Sequence, residues 1–111
     1  MRSYFIDELE PENVKKIETA LSDKGYAGAI DSIYFLPLPE DLLSEEQQAH
    51  QPECGPFFLA LETGETWVKL ELLVRCKGKI RCSCIAYAEP RQRERLIDYL
   101  DGFIRSLDIP V

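Results

Sequence analysis

Four residues of the types that bind zinc lie in two separate parts of the chain. They are His50 and Cys54 in the middle, and Cys82 and Cys84 further on. Neither pair has the Cys-x2-Cys or Cys-x4-Cys spacing that is usual in structural zinc sites. Cys82 and Cys84 also belong to the apolar face of a predicted strand, where buried thiols are the ordinary expectation. A small thiol- or zinc-dependent protein is therefore the alternative function, and it requires His50 and Cys54 to fold back over that face.

The segment Cys54-Gly55-Pro56 resembles the first three residues of the thioredoxin-type Cys-Gly-Pro-Cys motif. The fourth position is occupied by Phe57, so no second cysteine is present there to resolve a mixed disulfide. The thioredoxin-type motif opens a helix, whereas a strand-like run follows here. We therefore predict a turn at Gly55 and Pro56, with Cys54 as a small buried residue.

Catalysis by a histidine has one candidate base, because His50 is the only histidine. Ser44, Ser83 and Cys54 are conceivable nucleophiles, but none has the sequence context of a known triad. A histidine near the end of a short helix is ordinarily exposed to solvent. We predict no catalytic residue, no cofactor and no metal in the leading interpretation, which is a non-enzymatic protein.

Basic residues gather in the C-terminal half, although the chain as a whole carries a net charge of −7. Three arginines open the last predicted helix, where each opposes the helix dipole at a cost of about 0.3 to 1 kcal/mol. Carboxylates of the acidic 40–53 segment, a bound anion or a partner subunit would offset that cost. The candidate interaction or anion site comprises Trp67, on the predicted outer sheet face, with Arg75, Arg81, Arg91, Arg93 and Arg95.

The first half of the chain predicts a strand, a helix and a second strand. Residues 3–6 favour an edge strand, Pro11 suits the start of a helix over 12–24, and residues 32–36 are rich in β-formers. A proline-rich acidic connection then spans residues 37–56, and we expect it to be mobile or dependent on a partner. Within it, Ser44-Glu45-Glu46-Gln47 has the capping-box pattern and predicts a short helix that ends near His50, before Pro52.

The second half predicts two hairpins and a helix. Residues 57–61 pair with the alternating run 67–76, and a turn at 77–79 leads to a strand over 80–88. In this second hairpin the numbers of opposing residues sum to 156, which places Cys82 and Cys84 on the buried face. Pro90 opens an amphipathic helix. The fold class is α+β, a two-layer sandwich of about four or five mainly antiparallel strands with two main helices packed on one face, in the order β-α-β-loop-β-β-β-α.

Length and charge limit the class of protein. A chain of 111 residues suits one domain over 1–111. Residues 1–12 lack the apolar run that is typical of a signal peptide, and no stretch has the length of an apolar membrane span. We expect a cytoplasmic protein with reduced thiols and no membrane association, and the negative charge disfavours nucleic acid. The leading interpretation is a non-enzymatic binding or protein-interaction module that contacts a protein partner or a second copy of itself as a homodimer.

Overall fold

The computed structural model describes residues 1–111 as three α-helices and a mostly antiparallel sheet. The helices are α1 (Pro11–Asp23), α2 (Glu45–Cys54) and α3 (Pro90–Arg105), and a short 3₁₀ turn spans Glu40–Leu42. The strands are β1 (Ser3–Ile6), β2 (Ile33–Pro37), β3 (Phe57–Thr63), β4 (Val68–Glu71), β5 (Leu73–Cys76) and β6 (Ala86–Tyr87). The predicted α+β class is confirmed.

The central strand of the sheet is β3, which pairs antiparallel with three other strands. One edge of β3 pairs with β2, with Phe35 opposite Ala60. The other edge pairs first with β4, where Leu61 lies opposite Leu70, and then with β5, where Phe57 lies opposite Cys76. The strand order is β1-β4-β3-β5-β6, with β2 added on β3. The run 67–76 predicted as one strand therefore breaks at Leu72 into two strands that share the same neighbour.

One face of the sheet forms the core together with the helices. Alternate residues of β3 are buried, and Leu59 and Leu61 are completely so. Ile17 from α1 and Leu100 from α3 belong to the same buried cluster, as the helical spacing of apolar residues predicted. The opposite face carries residues such as Phe58, which are only partly covered. None of the helices is long and apolar enough to cross a lipid bilayer.

The predicted second hairpin is wrong in both register and extent. Leu73 lies opposite Tyr87, so opposing numbers sum to 160 rather than 156, and only Ala86 and Tyr87 form the second strand. Residues 77–85 form a loop instead of a strand, and Ile80 is 94% exposed. The chain leaves β5 toward α2, because the Gly78 N–H donates to the Cys54 carbonyl at 2.8 Å. A contact between distant parts of the chain thus overrides the local strand pattern.

The 37–56 segment is folded around α2 rather than forming an irregular connection. The predicted capping box is confirmed, since the Ser44 hydroxyl accepts from the Gln47 N–H and the Gln47 side chain accepts from the Ser44 N–H. The predicted end of the helix near His50 is wrong, because α2 continues through Pro52 to Cys54. This extension adds another helical turn beyond His50.

Candidate metal centre

The extended helix α2 brings His50 and Cys54 onto one side. Residues four apart in an α-helix lie one above the other on the same face, so both side chains point to the same neighbouring segment. Cys54 is fully buried at the C-terminal end of the helix, and His50 is partly buried. The sequence signal for this pair is the His-x3-Cys spacing, which depends on the helix continuing past Pro52.

The 77–85 loop supplies Cys82 and Cys84. These two residues flank Ser83 in a turn that is closed by the Ile85 N–H donating to the Cys82 carbonyl at 3.1 Å. The Ser83 hydroxyl donates to the Glu46 carboxylate in the first turn of α2. Two side chains of the loop are thereby directed toward the helix face that carries His50 and Cys54.

Gly78 allows the start of this loop to lie against the end of α2. A Cβ atom at position 78 would collide with the Glu53 carbonyl oxygen and would lie 2.8 Å from the Cys54 Cα. The Lys77 N–H also donates to the Pro56 carbonyl at 3.0 Å, just after the turn between α2 and β3. Only glycine fits this close approach of two backbones.

The donor atoms of His50, Cys54, Cys82 and Cys84 all lie within 4.8 Å of one another. His50 Nδ1 and Cys82 Sγ are 3.1 Å apart. A tetrahedral zinc ion with Zn–S bonds of about 2.3 Å separates its sulfur ligands by about 3.8 Å. The group is therefore the right size for one ion, and small movements of the side chains would complete the tetrahedron. The four residues of the alternative thiol or zinc site therefore lie together in the structure.

The three cysteines of this centre differ in their acidity. The backbone N–H and then the thiol of Cys84 donate to Cys82, and with the His50 ring they lower the pKa of Cys82 to about 6. Burial is the main cause that raises the pKa of both Cys54 and Cys84. Cys82 is therefore the most acidic of the three thiols. A bound metal ion would favour the deprotonated form of all three.

Two buried glutamines hold Cys84 in position. The Gln47 amide donates to the Cys84 carbonyl at 3.2 Å, and the Gln92 amide donates to Gln47 Oε1 at 2.9 Å and to the Leu42 carbonyl at 2.8 Å. Gln47 and Gln92 are only 2% and 1% exposed. Every buried polar atom of this pair has a partner, and the pair links α2, α3 and the 77–85 loop.

The arginines at the start of α3 contact the acidic segment of the same chain. The Arg91 side chain donates to the Asp41 carbonyl at 2.8 Å, and Arg95 lies 3.8 Å from the Asp41 carboxylate. Arg93 is partly buried and makes no ion pair. Asp41 is among the carboxylates of the 40–53 segment that were expected to offset the charge of this turn.

The other predicted interaction residues lie apart from one another in the fold. Arg75 on β5 pairs with Glu71 at 3.0 Å, whereas Arg81 is exposed on the 77–85 loop without a carboxylate partner. Trp67 precedes β4 and packs against Phe5 with ring centroids 5.6 Å apart. These residues do not form one continuous anion site.

No family model, curated protein or solved structure matches the chain.

Proposed function

We propose that this protein is a small zinc-binding domain in which the ion is coordinated by His50, Cys54, Cys82 and Cys84. The observation that carries the proposal is that these four donor atoms, from two distant parts of the chain, lie within 4.8 Å of one another. Thiolate and imidazole ligands in a tetrahedral set suit zinc better than the oxygen-preferring ions such as magnesium or calcium.

The proposed role of zinc is structural rather than catalytic. Catalytic zinc sites keep a position open for water or substrate, whereas four protein ligands complete the tetrahedron. The ion would join the end of α2 to the 77–85 loop, which has no regular secondary structure of its own. A closed site of this kind supports the non-enzymatic interpretation.

We also propose that the domain contacts a protein partner or a second copy of itself. The sheet face opposite the helices is only partly covered, and it carries an aromatic pair, Phe35 and Phe58, with ring centroids 5.0 Å apart. Phe5 on β1 is 49% exposed beside Trp67. Sedimentation velocity over a range of concentrations tests the homodimer, and a monomer at every concentration would refute self-association.

Metal analysis of the purified protein tests the zinc site. We expect one zinc per chain, with the content falling strongly in Cys54→Ser and His50→Ala. Cys76→Ser is the matched control, because Cys76 is also a buried cysteine but its sulfur contacts the Lys79 carbonyl and lies outside the group of four. A wild-type protein that takes up no zinc from a buffered solution, or equal zinc content in all variants, would refute the proposal.

A further inference from the structure

Cys82 differs from the other two cysteines of the proposed zinc centre in its access to solvent. Cys54 and Cys84 are 0% and 1% exposed, whereas Cys82 is partly exposed on the 77–85 loop. Its sulfur lies within 4.8 Å of the sulfurs of Cys54 and Cys84. A small oxidant that approaches the centre therefore reaches Cys82 first, with a second thiol directly behind it.

Building on the proposed zinc site, we propose that Cys82 is an oxidation site, where a peroxide converts the centre into a Cys54–Cys82 disulfide and releases the ion. Hydrogen peroxide is the simplest oxidant of this class. The same four residues would thus have a reduced, zinc-bound form and an oxidised, metal-free form.

The reaction has two steps. The Cys82 sulfur first attacks one oxygen of hydrogen peroxide, the O–O bond breaks, and the leaving hydroxide takes a proton from solvent to become water. The sulfenic acid at Cys82 is then attacked by the Cys54 sulfur, the S–O bond breaks, and a second hydroxide leaves and is protonated. The two thiolates lose two electrons in total, and the peroxide is reduced to two molecules of water.

Cys54 is better placed than Cys84 to form the disulfide. Cys84 is two residues from Cys82, within the turn that the Ile85 N–H closes on the Cys82 carbonyl, so a bridge there would have to close a very short ring. Cys54 approaches from a different element, the end of α2, and its sulfur lies within 4.8 Å of the Cys82 sulfur. The two sulfurs must move to about 2.05 Å from each other to form the bond.

Disulfide formation removes two of the four ligands at once. His50 and Cys84 would remain, and a two-ligand site loses the tetrahedral coordination on which tight zinc binding depends. A thiol reductant regenerates both thiols, so addition of reductant and zinc restores the reduced form. The oxidation is therefore coupled stoichiometrically to metal release.

The zinc-loaded wild-type protein is the first sample to test. Titration with hydrogen peroxide in the presence of a chromogenic chelator should release one zinc for every two thiols lost. Dimedone added during oxidation should label Cys82, and a reductant with added zinc should reverse the release. Tryptic cleavage separates the cysteines, because Cys54 lies in peptide 25–69, Cys76 in peptide 76–77, and Cys82 with Cys84 in peptide 82–91. We expect a cross-link between peptides 25–69 and 82–91, which fragmentation places at Cys82.

Two variants with identical ligand types test the role of Cys82 itself. Cys82→His and Cys84→His both leave two cysteines and two histidines, a set that also binds zinc. We expect peroxide to release zinc at least about tenfold more slowly from Cys82→His, and within about threefold of the wild-type rate from Cys84→His. Equal rates in the two variants would overturn the assignment.

If either variant fails to fold, the dimedone labelling and the disulfide mapping of the wild-type protein decide the question alone. A disulfide that contains Cys76 or joins Cys82 to Cys84, dimedone on a cysteine other than Cys82, or loss of zinc without a disulfide would each overturn the proposal. Zinc that is present and resists peroxide would refute this inference but leave the zinc site intact. A wild-type protein that never binds zinc would refute the zinc site itself.

Discussion

Gln92 is a buried polar residue whose replacement should destabilise the fold by a definable amount. Its amide donates to the Leu42 carbonyl at 2.8 Å and to Gln47 Oε1 at 2.9 Å. Gln92→Leu removes these two hydrogen bonds and a third, which Gln92 Oε1 accepts from the Glu89 N–H at 2.9 Å. Each is worth about 1 kcal/mol net, and the Leu42 carbonyl is left without a donor, which costs about 1 to 3 kcal/mol. Gln47 Oε1 still accepts from the Ser44 N–H at 2.9 Å, so it is not left unpaired. Leucine recovers about 1 kcal/mol by apolar burial, and we expect a net loss of about 3 to 5 kcal/mol.

Urea denaturation of the zinc-saturated protein measures this loss directly. Gln48→Leu is the matched control, since Gln48 lies on the exposed side of α2 and makes one longer bond, to the Leu43 carbonyl at 3.3 Å. That variant should change the free energy of unfolding by less than about 0.5 kcal/mol. Because Gln47 keeps its bond to Cys84 when Gln92 is replaced, zinc affinity should fall by less than about tenfold. A loss below about 1 kcal/mol for Gln92→Leu would refute the argument from an unpaired buried carbonyl.

Three further predictions concern the backbone and one tyrosine. Gly78→Ala should displace the loop from α2 and weaken zinc binding at least about tenfold, as measured by chelator competition. Gly102→Ala is the control, because a Cβ there meets no atom within 4 Å, and it should leave zinc affinity unchanged and stabilise α3. The pKa of Tyr4 is raised from 10.0 to about 12 by burial and by its hydrogen bond to Asp101, so its stabilising contribution should be complete below pH 10 and lost as pH rises toward 12. Tyr4→Phe should remove that alkaline loss in urea titrations at increasing pH, and an unchanged profile would contradict the sign. Pro52→Ala supplies a helical N–H and should raise the free energy of unfolding by up to about 3 kcal/mol, whereas a decrease would show that proline is required there.

Helix α1 and helix α3 could be predicted from the sequence because local signals agree with tertiary packing. Pro11 and Pro90 stand at the first helical positions, and Gly25 adopts a positive φ of 82° just beyond the end of α1. The second hairpin could not be predicted, because the alternation from Ile80 to Ala86 is compatible with a strand. The contact of Gly78 with Cys54 decides against the strand. Contacts between residues that are distant in the sequence cannot be recognised from a local pattern.

The proposed metal centre was only partly predictable for a related reason. Its four residues were recognised by type, but Pro52 indicated that the helix ends near His50, and this left Cys54 outside it. Proline removes one backbone donor and crowds the preceding turn, so a helix boundary is the usual consequence. In the structure α2 continues to Cys54, so the His-x3-Cys spacing places both side chains on one face of the helix. The convergence of Cys82 and Cys84 on this helix face depends on the loop geometry rather than on their own spacing.

The uneven distribution of charge along the sequence can be accounted for in part within the chain. Arg95 lies near the Asp41 carboxylate, and Lys79 pairs with Glu53 at 3.3 Å. Glu53 is the main cause that raises the pKa of Lys79, and the cysteines Cys54 and Cys82 act in the same direction. Zinc with three thiolates and one neutral imidazole carries a net charge of −1, so a cation beside the proposed centre would stabilise the metal-bound form. On this argument Lys79 is part of the site. A binding partner is needed to neutralise only the cations that have no carboxylate partner in the chain, such as Arg81.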